Sequence, residues 1–410
     1  MTKQELHNRM HLYLASCVAF CLPINKLTPV FIALLTLNWL FEGGFSAKLK
    51  RLLEQRVVVL FIAFYTLLMF GMLYTDNIKA GLFDLQVKVT LVLLPIIFAT
   101  KPIRVGEQRF VFIAFVSGIV LSSLFMLVNA INTYYTLSVN HFFYLEFSTF
   151  IHPSYLSLYV NFAMAWIIHL VLTKPVLKKP LYILLFLVLV CFLILINVLL
   201  SSKMGLFTMG LLFIGMSIYY AVVSRKYYLA LLAIASVFTL FYLIVQLSPD
   251  VAGRITRAIT AVEDNNTQSQ SASESTSVRI LVWNASRNIM KEHFLVGVGT
   301  GDVKDELMKE YKKLGMSSAA EHHLNAHNQF YQIFICLGLL GFCCFLACIG
   351  FPIWHAWKGH DIVYLSFLLL MVLNFMAESM LETQAGVLFY AFFNALLLFA
   401  SHQDDKPIIA

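Results

Sequence analysis

The chain is 410 residues long, 60% hydrophobic and only 12% charged, with a mean hydropathy of +0.79. A soluble domain of this size needs far more surface charge, so the composition excludes that class and predicts an all-α polytopic membrane protein surrounded by a lipid bilayer. The formal net charge of +7 lies mostly in short loops between apolar runs, and without any nucleic-acid-binding motif it excludes a nucleic-acid partner.

Taken in chain order, apolar runs predict spans near 10–24, 28–42, 56–74, 81–99, 110–132, 153–173, 180–199, 204–223, 227–247, 327–351, 361–381 and 385–400, about twelve in all. The first two are short, and Pro23 between them could mark a re-entrant hairpin. The first has the look of a signal-peptide core, but no small-residue cleavage site follows it, so it is kept as a helix. The chain thus divides into helices one to nine (1–247), a large polar loop (248–326), and helices ten to twelve with a short cytoplasmic tail (327–410). Basic residues orient it: Lys3 and Arg9, then Lys48, Lys50, Arg51 and Arg56, then Lys101, Arg104 and Arg109, then Lys174, Lys178 and Lys179, then Arg225 and Lys226 all fall on one side. The segment from Asn132 to His152 on the other side has no Lys or Arg. The basic side is cytoplasmic by the positive-inside rule, so the large loop is external, which is periplasmic in a Gram-negative cell. All seven cysteines lie in apolar spans and form neither a disulfide framework nor a zinc spacing.

Within the loop, residues 264–277 are polar and low in complexity and are expected to be flexible. A helix is predicted from Val278 to about His293, with Thr276 or Ser277 as its N-cap. Arg279, Trp283 and Arg287 recur there at i, i+4 and i+8, on one face. That face reads either as an amphipathic surface lying on the bilayer or as an anion clamp, because guanidinium groups offer phosphate a two-pronged fork. The glycine-rich stretch Gly297-Val298-Gly299-Thr300-Gly301-Asp302 lacks the strand and βαβ context of a dinucleotide site and reads as a tight turn. A second short helix, a solvated cap, is predicted from Asp302 to about Leu314. His322, His323 and His327 raise the question of a metal, but no carboxylate completes a metal-binding spacing, so no metal and no cofactor are expected.

Polar residues that are unusual in spans gather at the external ends: His152 and Tyr155, Lys203 after Ser201 and Ser202, His327, and Glu378 with Glu382. Each has a dull alternative, such as a snorkelling end charge at Lys203, a helix cap at His152, or a structural Lys203–Glu378 pair. Together with Arg279 they predict a cationic external pocket containing one imidazole able to move a proton.

The run His327-Asn328-Gln329, with Gly338 and Gly341 following at fixed spacing, resembles the signature of the bacterial O-antigen ligases and the related O-antigen polymerases. The order of landmarks agrees too, from the number of spans to the large loop before the histidine, the Arg279-to-Trp283 stretch and the basic residue at Lys203. The resemblance implies a metal-independent, inverting glycosyl transfer at the periplasmic membrane face, from an undecaprenyl-pyrophosphate-linked glycan to a lipid A-core acceptor. It implies catalytic roles for His327, as the base on the acceptor hydroxyl, and for Arg279, as the main pyrophosphate ligand. Lys203 stands where many members carry Arg, and it supplies charge without the fork. Arg287, His152, Tyr155, Asn328, Gln329 and Glu378 are the further substrate-binding candidates. A polymerase extending a lipid-linked chain is the runner-up. A protein O-oligosaccharyltransferase is disfavoured because the chain ends soon after its last span. A lipid-linked glycan transporter, from a different class, would show internal repeats and midplane polar residues, which the sequence lacks.

Overall fold

The structure, a computed structural model, describes residues 2–174, 179–247, 253, 256 and 275–400. Every regular element among them is helical. In chain order these are α1 (Lys3–Cys21), α2 (Thr28–Glu42), α3 (Phe45–Glu54), α4 (Val58–Gly71), α5 (Ile78–Lys88), α6 (Thr90–Thr100), α7 (Val105–Leu137), α8 (Tyr144–Phe147) and α9 (Pro153–Thr173). They continue with α10 (Pro180–Leu200), α11 (Lys203–Ser224), α12 (Tyr227–Leu247), α13 (Ser275–Glu292), α14 (Val303–Lys313), α15 (Ser317–Glu321), α16 (Gln329–Lys358), α17 (Ile362–Phe375) and α18 (Gln384–Leu398).

Each of the twelve predicted apolar runs is helical, but fewer are built to cross a membrane alone. Among the described residues six helices are long and apolar enough: Ile78–Thr100, Val105–Leu137, Pro153–Thr173, Pro180–Leu200, Lys203–Ser224 and Gln329–Lys358. A seventh is possible if the pair α2 and α3, bent by 112°, is one broken span. That bend falls at Gly43 and Gly44, both at positive φ, rather than at Pro23. The runs at Val58–Tyr74, Ile362–Phe375 and Gln384–Leu398 form shorter apolar helices. The last two fall short of the roughly 30 Å hydrocarbon thickness at 1.5 Å per residue, because residues 376–383 leave the helix to build a polar turn. The predicted flexible segment lies outside the described residues up to 274, and its last three residues already belong to α13. The expected caps Thr276 and Ser277 are therefore inside that helix.

The core is aromatic. Phe115, Phe162, Phe367, Phe389 and Phe393 interlock across α7, α9, α17 and α18, with ring centroids 4.8–6.1 Å apart, and Tyr159 stacks on Phe389 at 4.2 Å. Such contacts add about 0.5–1.5 kcal/mol per pair beyond area burial. A polar seam joins α9, α10 and α11: Asn161 donates to the Gly205 carbonyl at 2.9 Å, and Asn197 donates to the Asn161 side chain at 2.7 Å. A β-carbon at Gly205 would overlap the Ser157 hydroxyl, so a glycine is required for the start of α11 to approach α9 this closely.

Helix α16 is broken at Gly338, whose φ of 61° and ψ of −160° leave the helical region. The freed backbone groups are taken by the glycine-rich stretch. Val298 donates to the Ile335 carbonyl at 2.8 Å, Gly299 donates to Cys336 at 3.0 Å, and Leu339 donates to Phe294 at 2.9 Å. On its other side the stretch is tied to the end of α4, where Thr300 donates to Leu68 and Gly301 donates to Thr75. It is therefore a splint between two membrane helices, with its amides spent on protein acceptors.

Candidate functional site

Asn328 caps α16, its side-chain oxygen accepting from the amides of Phe330 and Tyr331 at 2.9 and 3.2 Å. Its amide nitrogen donates to the Met376 carbonyl at 3.1 Å, and its backbone N–H meets Ser379. The cap therefore clamps α16 to the turn that follows α17. His327, immediately before the cap, has a φ of 44°. That left-handed conformation is uncommon for a residue with a β-carbon and turns the imidazole toward the same turn.

Glu378 is the hub of that turn. One carboxylate oxygen accepts from the Arg279 guanidinium of α13, and the other lies 2.9 Å from His327 Nδ1. A carboxylate only accepts, so Nδ1 carries the proton and the lone pair of a neutral His327 falls on Nε2. Burial raises the pKa of Glu378. The hydrogen bond from His327 and the charges of Arg279 and His152 outweigh this and hold the carboxyl below its usual range. Arg279 Nε is buried without a hydrogen-bond partner, although Nη2 is engaged. The Trp283 indole donates to the His327 carbonyl at 3.4 Å, and Val282, Ala285 and Ile289 are buried beneath α13. The helix is therefore seated on the bundle through that side.

The other predicted residues sort clearly. His152 caps α9, its Nδ1 accepting from Ser154 at 3.3 Å. Its ring lies edge-on between Tyr144 and Tyr155, near enough to act on Glu378. Tyr155 is buried and reaches Thr383. Lys203 is the first residue of α11, half-buried, behind the cap made by Ser202. Arg287 is not brought to the cluster: it is exposed and bonded within its own helix, to Asn284 at 2.8 Å. Periodicity put it with Arg279 and Trp283, but α13 turns that part of its stripe outward. Gln329 is buried with both ends of its amide used, to Glu382 and to the Leu381 N–H, so it acts as a fastener. The helix predicted from Asp302 to Leu314 is α14, with Asp302 at its N-cap. Its Leu307 and Tyr311 are buried, so it is seated on the protein rather than fully solvated.

Sequence reasoning missed Lys88. Buried at the C-terminal end of α5, it pairs with Asp84 at 2.8 Å and Glu382 at 2.9 Å, and through Glu382 it holds the turn that carries Glu378. The signal was present, as an Asp and a Lys one helical turn apart within an apolar run are costly unless paired. Among the described residues no three His, Cys, Asp or Glu side chains gather as a metal site would require.

The fold and site define a helical membrane protein with an imidazole, a carboxylate and a guanidinium joined at one end of its bundle. Residues 187–346 match the family model described as O-antigen ligase, and this match supports the O-antigen ligase family for that part of the chain. The matched stretch runs from α10 to the middle of α16 and includes Lys203, Arg279, His327, Gly338 and Gly341. Glu378, His152 and Lys88 lie outside it. No curated protein matches the chain.

Proposed function

We propose that the protein is an O-antigen ligase-type glycosyltransferase of the bacterial inner membrane, moving a glycan from undecaprenyl pyrophosphate to lipid A-core at the periplasmic face. The observation that carries this reading is Glu378 joining His327 to Arg279. It leaves His327 Nε2 with its lone pair, beside a guanidinium that keeps a buried donor to spare. In the proposed reaction the acceptor hydroxyl gives its proton to Nε2 as its oxygen bonds to the anomeric carbon of the donor sugar. The bond from that carbon to the pyrophosphate oxygen breaks, and undecaprenyl pyrophosphate leaves with the electron pair. Arg279, with Lys203, stabilises the charge growing on the leaving group, the larger electrostatic contribution, and the fork of Arg279 suits a pyrophosphate. Glu378 orients His327 and stabilises the imidazolium that forms, as a carboxylate does beside a catalytic histidine. In this scheme the cations supply the charge that a metal would otherwise bring. The shortness of α17 and α18, which end at the polar turn, supports a site at the bilayer edge that a lipid-linked donor reaches from the side.

The test is the lipopolysaccharide profile of a deletion strain complemented with wild type or His327→Ala, read together with extracted lipid-linked glycan. Bare core with accumulated long lipid-linked polymer is the expected result for the deletion and for His327→Ala. Core bearing a single repeat would make the protein a polymerase, an unchanged ladder would overturn both readings, and lipid-linked glycan held on the cytoplasmic face would make it a transporter.

A further inference from the structure

At the end of the bundle away from Glu378, the N-terminus of α7 opens on a cavity of about 360 Å³, whose lining includes His11, Glu42, Lys48, Arg51, Lys101 and Arg104. The two sites lie at opposite ends of α18. That helix starts just after Glu382, and near its other end the Leu396 carbonyl accepts from Gln108, one turn into α7. Its 15 residues separate the ends by about 22 Å.

Three independent features favour an anion there. Four cationic side chains face two carboxylates, Glu42 and Glu107; Lys101 and Lys48 both answer Glu42, at 2.6 and 3.2 Å. The N-terminus of the 33-residue helix α7, with Glu107 in its first turn, lines the cavity and contributes the partial positive charge of a helix start. His11 is only 2% exposed, and neither ring nitrogen has a hydrogen-bond partner, although the Lys101 backbone lies near enough to act on it. A buried polar ring left without partners is costly. Helix α3 forms one wall and leaves Phe45, Leu49 and Leu53 exposed, the arrangement of a helix lying in a membrane surface.

We propose that this cavity binds a phosphate group, held by the α7 N-terminus and the surrounding lysines and arginines and hydrogen-bonded by His11. Phosphate chemistry of this kind comes either from an anionic phospholipid headgroup at the level of α3 or from free phosphate. The site is separate from the proposed transfer chemistry and does not depend on it.

The experiment uses the full chain in nanodiscs of phosphatidylcholine. Thermal unfolding is followed as phosphatidylglycerol is added to the disc or inorganic phosphate to the buffer, at matched ionic strength. Ala47 is exposed on the cavity lip, where substitution leaves the core untouched. Ala47→Glu is expected to weaken the stabilisation about tenfold in apparent affinity and Ala47→Lys to strengthen it, the size of one unit charge a few ångströms away in a partly solvated site. His11→Phe keeps the ring shape and removes the two unsatisfied nitrogens. It is expected to leave the ligand-free Tm unchanged or higher while abolishing the shift. Stabilisation by phosphatidylglycerol alone assigns a lipid headgroup; stabilisation by inorganic phosphate in phosphatidylcholine discs assigns the free anion. No stabilisation by either, a shift identical in wild type and both Ala47 variants, or a full shift in His11→Phe overturns the proposal.

Discussion

His327 holds a left-handed backbone that costs a residue with a β-carbon on the order of 1 kcal/mol, and the surrounding bonds hold it there. Asn325 accepts from its amide at 2.9 Å, Trp283 donates to its carbonyl, and Glu378 takes its Nδ1. Replacing Glu378 by Gln keeps the shape but removes the charge that fixes the histidine tautomer and answers Arg279. Transfer should fall by about 10²–10³-fold and stability by about 2 kcal/mol, read from lipopolysaccharide assembly and from Tm. The pH dependence follows from the lowered Glu378 pKa. A carboxylate held low in the folded state contributes its full stabilisation above its unfolded pKa and loses it as pH falls through the folded value. The Tm gap between wild type and Glu378→Gln should therefore stay constant from neutrality down to the ordinary carboxylate range and close only in stronger acid; a gap that closes near neutral pH would show that Glu378 is not the group responsible. The residue types were legible in the sequence at His327 and Arg279, since a membrane-edge imidazole and a helix arginine each announce a task. The joining of the two by Glu378 was not, because its partners lie 99 and 51 residues away along the chain and no local period relates them.

The break in α16 and the glycine-rich stretch are one device at the level of elements. Gly297 and Gly338 both sit at positive φ, and a β-carbon on either would overlap the opposing backbone, at Cys336 and Leu295 respectively. Gly338→Ala combines an unfavourable conformation with a backbone clash and should cost about 3 kcal/mol, seen as a lowered Tm and as loosened packing of residues 294–302 against α4 in proteolysis. An unchanged Tm would mean that the splint is not needed. The Lys88 cluster acts at the same scale. Lys88→Met strands Asp84 and Glu382 in the interior, at about 3–5 kcal/mol, and frees the turn that carries Glu378, so transfer should fall even in protein that still folds. Adding Asp84→Asn and Glu382→Gln should recover stability more than activity; full recovery of both would make Lys88 a purely structural pair. Sequence reasoning read the glycine-rich stretch as a turn, which its glycines allowed. Its partner could not be read, because Val298 and Gly299 bond carbonyls that become available only when Gly338 leaves the helix.

At the scale of the molecule, hydropathy located every apolar run, and among the described residues six helices are long and apolar enough to cross alone. Periodicity and composition report which residues avoid water, whereas crossing length depends on where a helix stops. Helices α17 and α18 stop early because residues 376–383 are drawn into bonds with Asn328 and Gln329. Charge orders the two ends of the bundle differently from length. Lys48, Lys50 and Arg51 on α3, with Lys101 and Arg104 between α6 and α7, gather at the end holding the phosphate cavity, and the opposite end holds the His327 turn. If the positive-inside rule governs this chain, a cysteine at exposed Asn140, after α7, should react with a membrane-impermeant maleimide on spheroplasts. One at exposed Ser46, on α3, should react only after the membrane is opened. The native cysteines all lie within apolar helices, with Cys191 and Cys343 exposed, so the labelling is read against the parent protein without the added cysteine. The reverse labelling pattern would put His327 on the cytoplasmic side, out of reach of a periplasmic donor, and would sink the ligase reading while leaving the His327–Glu378–Arg279 geometry to be explained by another reaction.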